Sequence, residues 1–110
     1  MFGIREVDAP ALKQLLDSAE KVRLIDVRSA SEVAQGIIEG SEFMPLHTLP
    51  MRMNELPPDE TIVFYCRSGA RSAQACMYLA QNTGVNAINL RGGIMGWYQS
   101  GQKIVLPNAA

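Results

Sequence analysis

The chain has 110 residues, 47% apolar and 19% charged, with ten basic residues set against eleven acidic ones. A chain of that length makes one domain, residues 1–110, able to bury roughly 60–70% of its unfolded surface, and this composition excludes a disordered polymer. A net charge of −1 argues against nucleic acid as a partner, no apolar run approaches a membrane span, and two cysteines with one histidine cannot supply a four-ligand metal site. No cofactor is expected. The opening Met1-Phe2-Gly3-Ile4-Arg5-Glu6 lacks the basic-then-apolar layout of a targeting signal, so a reducing cytoplasm is the expected location.

Along the chain, short β-type runs alternate with helical stretches. Ile4 to Val7 reads as a first strand, and Asp8 stands as an N-cap before a helix over 9–19 with Pro10 in its first turn. Leu12, Leu15, Leu16 and Ala19 give that helix its apolar spacing. Arg23 to Val27 reads as a buried strand carrying Asp26 near its end. A short helix over 31–35 stops at Gly36, and a short strand spans Glu42 to Met44. One irregular helix is expected over 46–56 despite Pro50. Thr61 to Tyr65, all β-branched or aromatic, is the clearest strand, and Cys66 follows it directly. A helix over 72–82, a strand over 85–90 and a last helix from Gly92-Gly93 through Trp97 complete the order. Such alternation predicts an α/β fold, a mainly parallel sheet covered on both faces, with ligands bound beyond the carboxyl ends of its strands.

The chemistry concentrates in Cys66-Arg67-Ser68-Gly69-Ala70-Arg71-Ser72, a strand–loop–helix element. Small side chains let successive N–H groups turn inward as an anion-binding nest, and Gly69 suits a left-handed turn. The helix expected from Ser72 adds unpaired amides and a positive dipole end, and Arg67 and Arg71 add two permanent charges. A thiol in that setting drops from a pKa of about 8.5 into the range of roughly 3.5–7.5, so Cys66 is expected to be a thiolate without a histidine base. The alternative is an inert buried cysteine, around which two arginines and a small-residue loop make little sense. Two readings stand for Asp26: pairing with Arg71 or the loop backbone, or capping the next turn. Arg28 is expected as a structural ion-pair partner. His47 reads as a partly exposed helix-end residue and Cys76 as core packing. Trp97, Ile94 and Tyr98 are expected to pack the last helix, with Trp97 a candidate wall of the site mouth. Most methionines read as core filler, and Met51 and Met53 flank Arg52 as a weak candidate docking surface.

The Cys66–Ser72 loop resembles the active-site loop of the rhodanese family of sulfurtransferases. Leu24-Ile25-Asp26-Val27-Arg28 resembles the family's early strand-ending motif, Glu32, Gly36, Ile38, Gly40 and Ser41 match its next segment, and Leu90-Arg91-Gly92-Gly93 with Gly96-Trp97 matches its closing motif. Ile37 stands where members often carry histidine, which touches local packing more than catalysis. The resemblance implies a single rhodanese domain, three layers around a five-stranded, mainly parallel sheet. It also implies a ping-pong sulfurtransferase in which Cys66 takes the sulfane sulfur of thiosulfate or a related persulfide donor and hands it to a thiophilic acceptor. Arg67, Ser68, Gly69, Ala70, Arg71 and Ser72 would cradle the persulfide, with the N–H groups of 67 to 71 holding its outer sulfur. Four residues separate Cys66 from Arg71, whereas phosphatase relatives carry one more. The alternatives are a relay protein with a protein acceptor and a non-catalytic binding module, a class that often lacks the cysteine kept here.

Overall fold

The computed structural model describes residues 3–107. Met1 and Phe2, part of the opening read for a targeting signal, lie outside the described residues. The elements run β1 (Arg5–Val7), α1 (Ala9–Asp17), β2 (Val22–Asp26), α2 (Ala30–Gln35), β3 (Glu42–Phe43), α3 (Leu49–Arg52), β4 (Thr61–Tyr65), α4 (Ala70–Thr83), β5 (Ile88–Leu90) and α5 (Gly93–Gln99). Local chemistry sets several boundaries. The Asp8 carboxylate accepts the Ala11 N–H at 3.0 Å to start α1, and Ser29 with Glu32 closes a reciprocal capping box on α2. The irregular helix expected over 46–56 breaks into two short 3-10 turns around α3, with Pro50 in the first turn of α3.

The strands pair in the order β1-β5-β4-β2-β3, every pair parallel. The central strand β4 pairs with β2 along its whole length, Thr61 opposite Val22 through Tyr65 opposite Asp26. Alternate β4 residues feed two cores. Ile62 and Phe64 pack with Leu49, Ala75, Cys76 and Leu79 on one face; Val63 and Tyr65 pack with Leu12, Ile94 and Trp97 on the other. Helices α3 and α4 thus cover one side and α1 and α5 the other, giving the three-layer α/β fold expected. Phe64 and Leu12 are fully enclosed, and each such side chain contributes about 1.5–3 kcal/mol of burial. Strand β5 is shorter than expected, although Val85 and Ala87 ahead of it are still buried.

Helix α4 starts at Ala70, two residues before the expected Ser72, so Ala70, Arg71 and Ser72 form its first turn. Gly69 caps it in the left-handed region at φ +109°. Among the described residues, no helix is long and apolar enough to cross a membrane, and no group of three or more His, Cys, Asp or Glu side chains is placed to hold a metal ion.

Candidate active site

Strand β4 delivers Cys66 to the carboxyl edge of the sheet, where the chain turns through Arg67-Ser68-Gly69 into α4. Cys66 is 1% exposed, and its Sγ lies within a ring of donors. The Gly69 N–H reaches it at 3.1 Å, the Ser72 N–H at 3.5 Å, and Ser72 Oγ stands 3.4 Å away. Burial pushes the thiol up, but the Ser72 hydroxyl and the amides of Ser72, Gly69 and Ser68 outweigh it and leave the thiol below its ordinary value. The amide of Ser72, in the first turn of α4, is one of these donors.

The two arginines play unequal parts. Arg67 is exposed and has no ion pair among the described residues. Arg71 is held in a two-point pair by Glu32 of α2, Nη1 to Oε1 at 2.7 Å and Nη2 to Oε2 at 2.8 Å. That guanidinium holds the Glu32 carboxyl well below the usual range against the opposing cost of burial, with the Ser29 cap adding to the lowering. Asp26 pairs neither with Arg71 nor with the Cys66 loop. Its Oδ1 accepts the Arg28 N–H at 3.0 Å and Nε at 2.9 Å, and its Oδ2 accepts Nη2 at 2.8 Å. Asp26 turns the chain after β2, but Ser29 is the cap of α2. The longer Glu32 side chain reaches Arg71, and Arg28 saturates Asp26. Arg28 is itself buried, donates to the Gly36 carbonyl at 2.6 Å, and stacks 5.8 Å from the Tyr65 ring centroid. Arg28 thus forms the ion pair expected of it.

The roles of three contributors, Gly93, Glu32 and Asn89, escaped the sequence reading. Gly93 lies so close to the loop that a Cβ there would stand 2.3 Å from the Arg67 carbonyl oxygen and 2.6 Å from that of Cys66. The next two amides, Ile94 and Met95, donate to those same carbonyls at 2.9 and 3.2 Å. The loop is therefore clamped from α5. Glu32 was matched as part of a pattern without its partner. Asn89 is a buried polar residue between Ile88 and Leu90, and it contacts Ser72. An amide inside an apolar run was the available signal.

Other candidates fall elsewhere. Cys76 is a free thiol in the core, pushed up to about 12 by burial first and by the charge of Glu6 second. His47 is exposed and lines, with Val27, Phe43, Pro45, Leu46 and Arg71, an apolar groove of about 480 Å³. Trp97 packs in the α1–α5 core and donates Nε1–H to the Lys103 carbonyl at 3.1 Å. Tyr98, expected to pack with it, is 68% exposed, because it lies on the solvent side of α5. Ile37 forms an antiparallel bridge with Val105 through both backbone groups.

Residues 8–100 match the family model of the rhodanese-like domain. This chain belongs to the rhodanese-like family. A sulfurtransferase of Allochromatium vinosum is 47% identical over 104 residues, covering 94% of this rhodanese-like chain and 97% of that protein. The putative sulfurtransferase YtwF of Bacillus subtilis is 39% identical over 94 residues, 86% of this chain and 90% of its own length. Among solved structures, a rhodanese-like domain protein from Staphylococcus aureus superposes with a TM-score of 0.85 at 29% identity, covering 96% of this chain and all of that one.

Proposed function

We propose that the protein is a sulfurtransferase that carries a sulfane sulfur on Cys66. The observation that carries this reading is the pair of backbone amides at Sγ, joined by the Ser72 hydroxyl when the sulfur is charged, which favours a thiolate and would favour a persulfide anion for the same electrostatic reason. The kinship with proteins named sulfurtransferase supports it. With thiosulfate as donor, the Cys66 thiolate attacks the outer sulfur. A new S–S bond forms, the donor's S–S bond breaks, and sulfite leaves with the electron pair. An acceptor nucleophile, cyanide or a thiolate, then attacks the terminal sulfur and Cys66 departs as the thiolate. No external oxidant or reductant is needed, and the two half-reactions give ping-pong kinetics. Arg67 and the amide nest draw the anionic donor to the loop, and Arg71 contributes what charge Glu32 leaves it. The two free thiols favour a reducing compartment such as the cytoplasm.

A second reading, delivery to a protein or other bulky acceptor, is favoured by the apolar groove that ends at Arg71. It uses the same persulfide. Intact-mass measurement after thiosulfate treatment of the reduced protein tests the common step. The expected result is a gain of one sulfur atom, reversed by cyanide and absent in Cys66→Ser. An unmodified wild-type protein would leave only a non-catalytic binding module, and an adduct that survives in Cys66→Ser would move the chemistry elsewhere.

A further inference from the structure

Ser72 Oγ stands between two acceptors and has one proton to give. Its neighbour on one side is Cys66 Sγ at 3.4 Å; on the other it is Asn89 Oδ1 at 2.5 Å. The orientation of the Asn89 amide follows from its other contacts. Its Nδ2 donates to Glu6 Oε2 of β1 at 2.9 Å and to the Gly69 carbonyl at 3.3 Å. A carboxylate and a carbonyl can only accept, so the NH₂ end must face them and Oδ1 must face Ser72. Ser72 is therefore the donor in the short contact. With its proton on Asn89, the hydroxyl turns lone pairs toward Sγ. Those lone pairs suit a thiol, whose S–H can donate to them, and oppose a thiolate. All three side chains are enclosed, Ser72 fully and Asn89 and Cys66 at 1% exposure, so water is a poor substitute donor.

We propose that Asn89 is a positioning residue that holds the Ser72 hydroxyl proton away from Cys66 in the thiol state and yields it to the sulfur as negative charge gathers there. The proposal rests on the reading of Cys66 as the sulfur carrier. The competition has a use in a two-step transfer. A thiolate stabilised too far is a poor nucleophile toward the donor, although a good leaving group toward the acceptor. Asn89 keeps the sulfur between these extremes. Glu6 takes part from the sheet edge, because a carboxylate on the NH₂ end polarises the amide and strengthens Oδ1 as an acceptor.

Other charged groups surround this chain of contacts. Arg71 on α4 is paired with Glu32 of α2, Arg28 with Asp26 after β2, and Arg91 beyond β5 lies 3.7 Å from Asp8; Arg67 stands on the loop itself. All of them remain in Asn89 variants. The test is a pH titration of the Cys66 thiolate by ultraviolet absorbance, in wild type and in Ser72→Ala, each with and without Asn89→Leu. With Ser72 present, Asn89→Leu should lower the titration midpoint by about one pH unit, the scale of one hydrogen bond to a charged group. In Ser72→Ala the same change should leave the midpoint where it was. Equal shifts in both backgrounds, or no downward shift with Ser72 present, would overturn the proposal. Should Asn89→Leu not fold, Glu6→Gln at an exposed position of β1 carries the same test. Its expected shift is about 0.3 pH unit, lost in Ser72→Ala, whereas a plain charge effect would persist there. The titration needs no sulfur donor, so its outcome is separate from the thiosulfate mass measurement that tests the parent reading.

Discussion

Arg71 and Glu32 show how a formal charge differs from an available one. Arg67 and Arg71 stand out as two cations in the sequence, but the partner of Arg71 lies 39 residues away on another helix and has no local signature. The pair is part-exposed, so it adds little stability, about 0–1 kcal/mol. On the proposed thiosulfate donor its effect should be larger, because it cancels charge next to the nest. Glu32→Gln separates the two roles, since glutamine still fits the reciprocal cap with Ser29 but carries no charge. We expect it to lower KM for thiosulfate severalfold at low ionic strength, with the gain fading in salt, while denaturant stability moves by less than about 1 kcal/mol. Arg71→Ala should act in reverse and reduce kcat/KM by about 10–100-fold, the scale of one charge-assisted contact. Steady-state kinetics at two salt concentrations reads both. If Glu32→Gln leaves KM unchanged, the Arg71 charge does not reach the donor.

Strand identity and order were legible because β-branched runs and helical spacing alternate so regularly. Element ends were less so. Ala70 and Arg71 read as loop, the end of a small-residue stretch between two arginines, yet with Ser72 they are the first turn of α4, since Gly69 makes the left-handed turn just before them. The role of α5 was hidden for a different reason: the closing motif gives a Gly-Gly start, but nothing local says that this start presses on a loop some 25 residues earlier in the chain. Gly93 sits at φ +61° with no room for a methyl group against the Arg67 and Cys66 carbonyls. Gly93→Ala should therefore lose more than about 2 kcal/mol, combining left-handed strain with displacement of the loop, and should abolish sulfur loading of Cys66. Gly96, three residues on in the same helix, has the nearest heavy atom to such a Cβ at 3.9 Å and an ordinary helical conformation. Gly96→Ala should hold or gain up to about 1 kcal/mol and keep sulfur loading. Urea unfolding with intact-mass analysis distinguishes them; equal tolerance of both changes would mean that α5 does not clamp the loop.

The molecule holds two buried thiols in one core cluster and drives their ionisation in opposite directions. Sequence distinguished them by position, Cys66 at a strand end before a small-residue loop and Cys76 on the apolar face of a helix. The donors that make the difference, from Ser68, Gly69 and Ser72, lie in the loop and the first turn of α4 within six residues of Cys66; only the Asn89 acceptor that β5 brings to Ser72 needed three dimensions to be seen. The contrast has a consequence for the fold as a whole. An unfolded thiol titrates at about 8.5. Folded Cys66 loses its proton below that value, so from its own midpoint up to about 8.5 the unfolded chain binds the extra proton and stability rises with pH. Cys66 thus contributes fully above about 8.5 and loses its contribution as pH falls through its folded midpoint. Folded Cys76 keeps its proton up to about 12. Between about 8.5 and 12 the native state binds the extra proton, so stability falls as pH rises, with a limiting slope of about 1.4 kcal/mol per pH unit. Burial also raises the Tyr65 phenol, which adds to the decline above its ordinary value of about 10. Urea unfolding measured from pH 6 to 11 under a non-thiol reductant should show a maximum near pH 8.5. Cys66→Ser should flatten the rising limb alone and Cys76→Ser the portion of the falling limb below pH 10 alone. A rising limb that survives in Cys66→Ser would mean that the donor ring does not favour the Cys66 anion, and the electrostatic basis for placing sulfur chemistry there would fail.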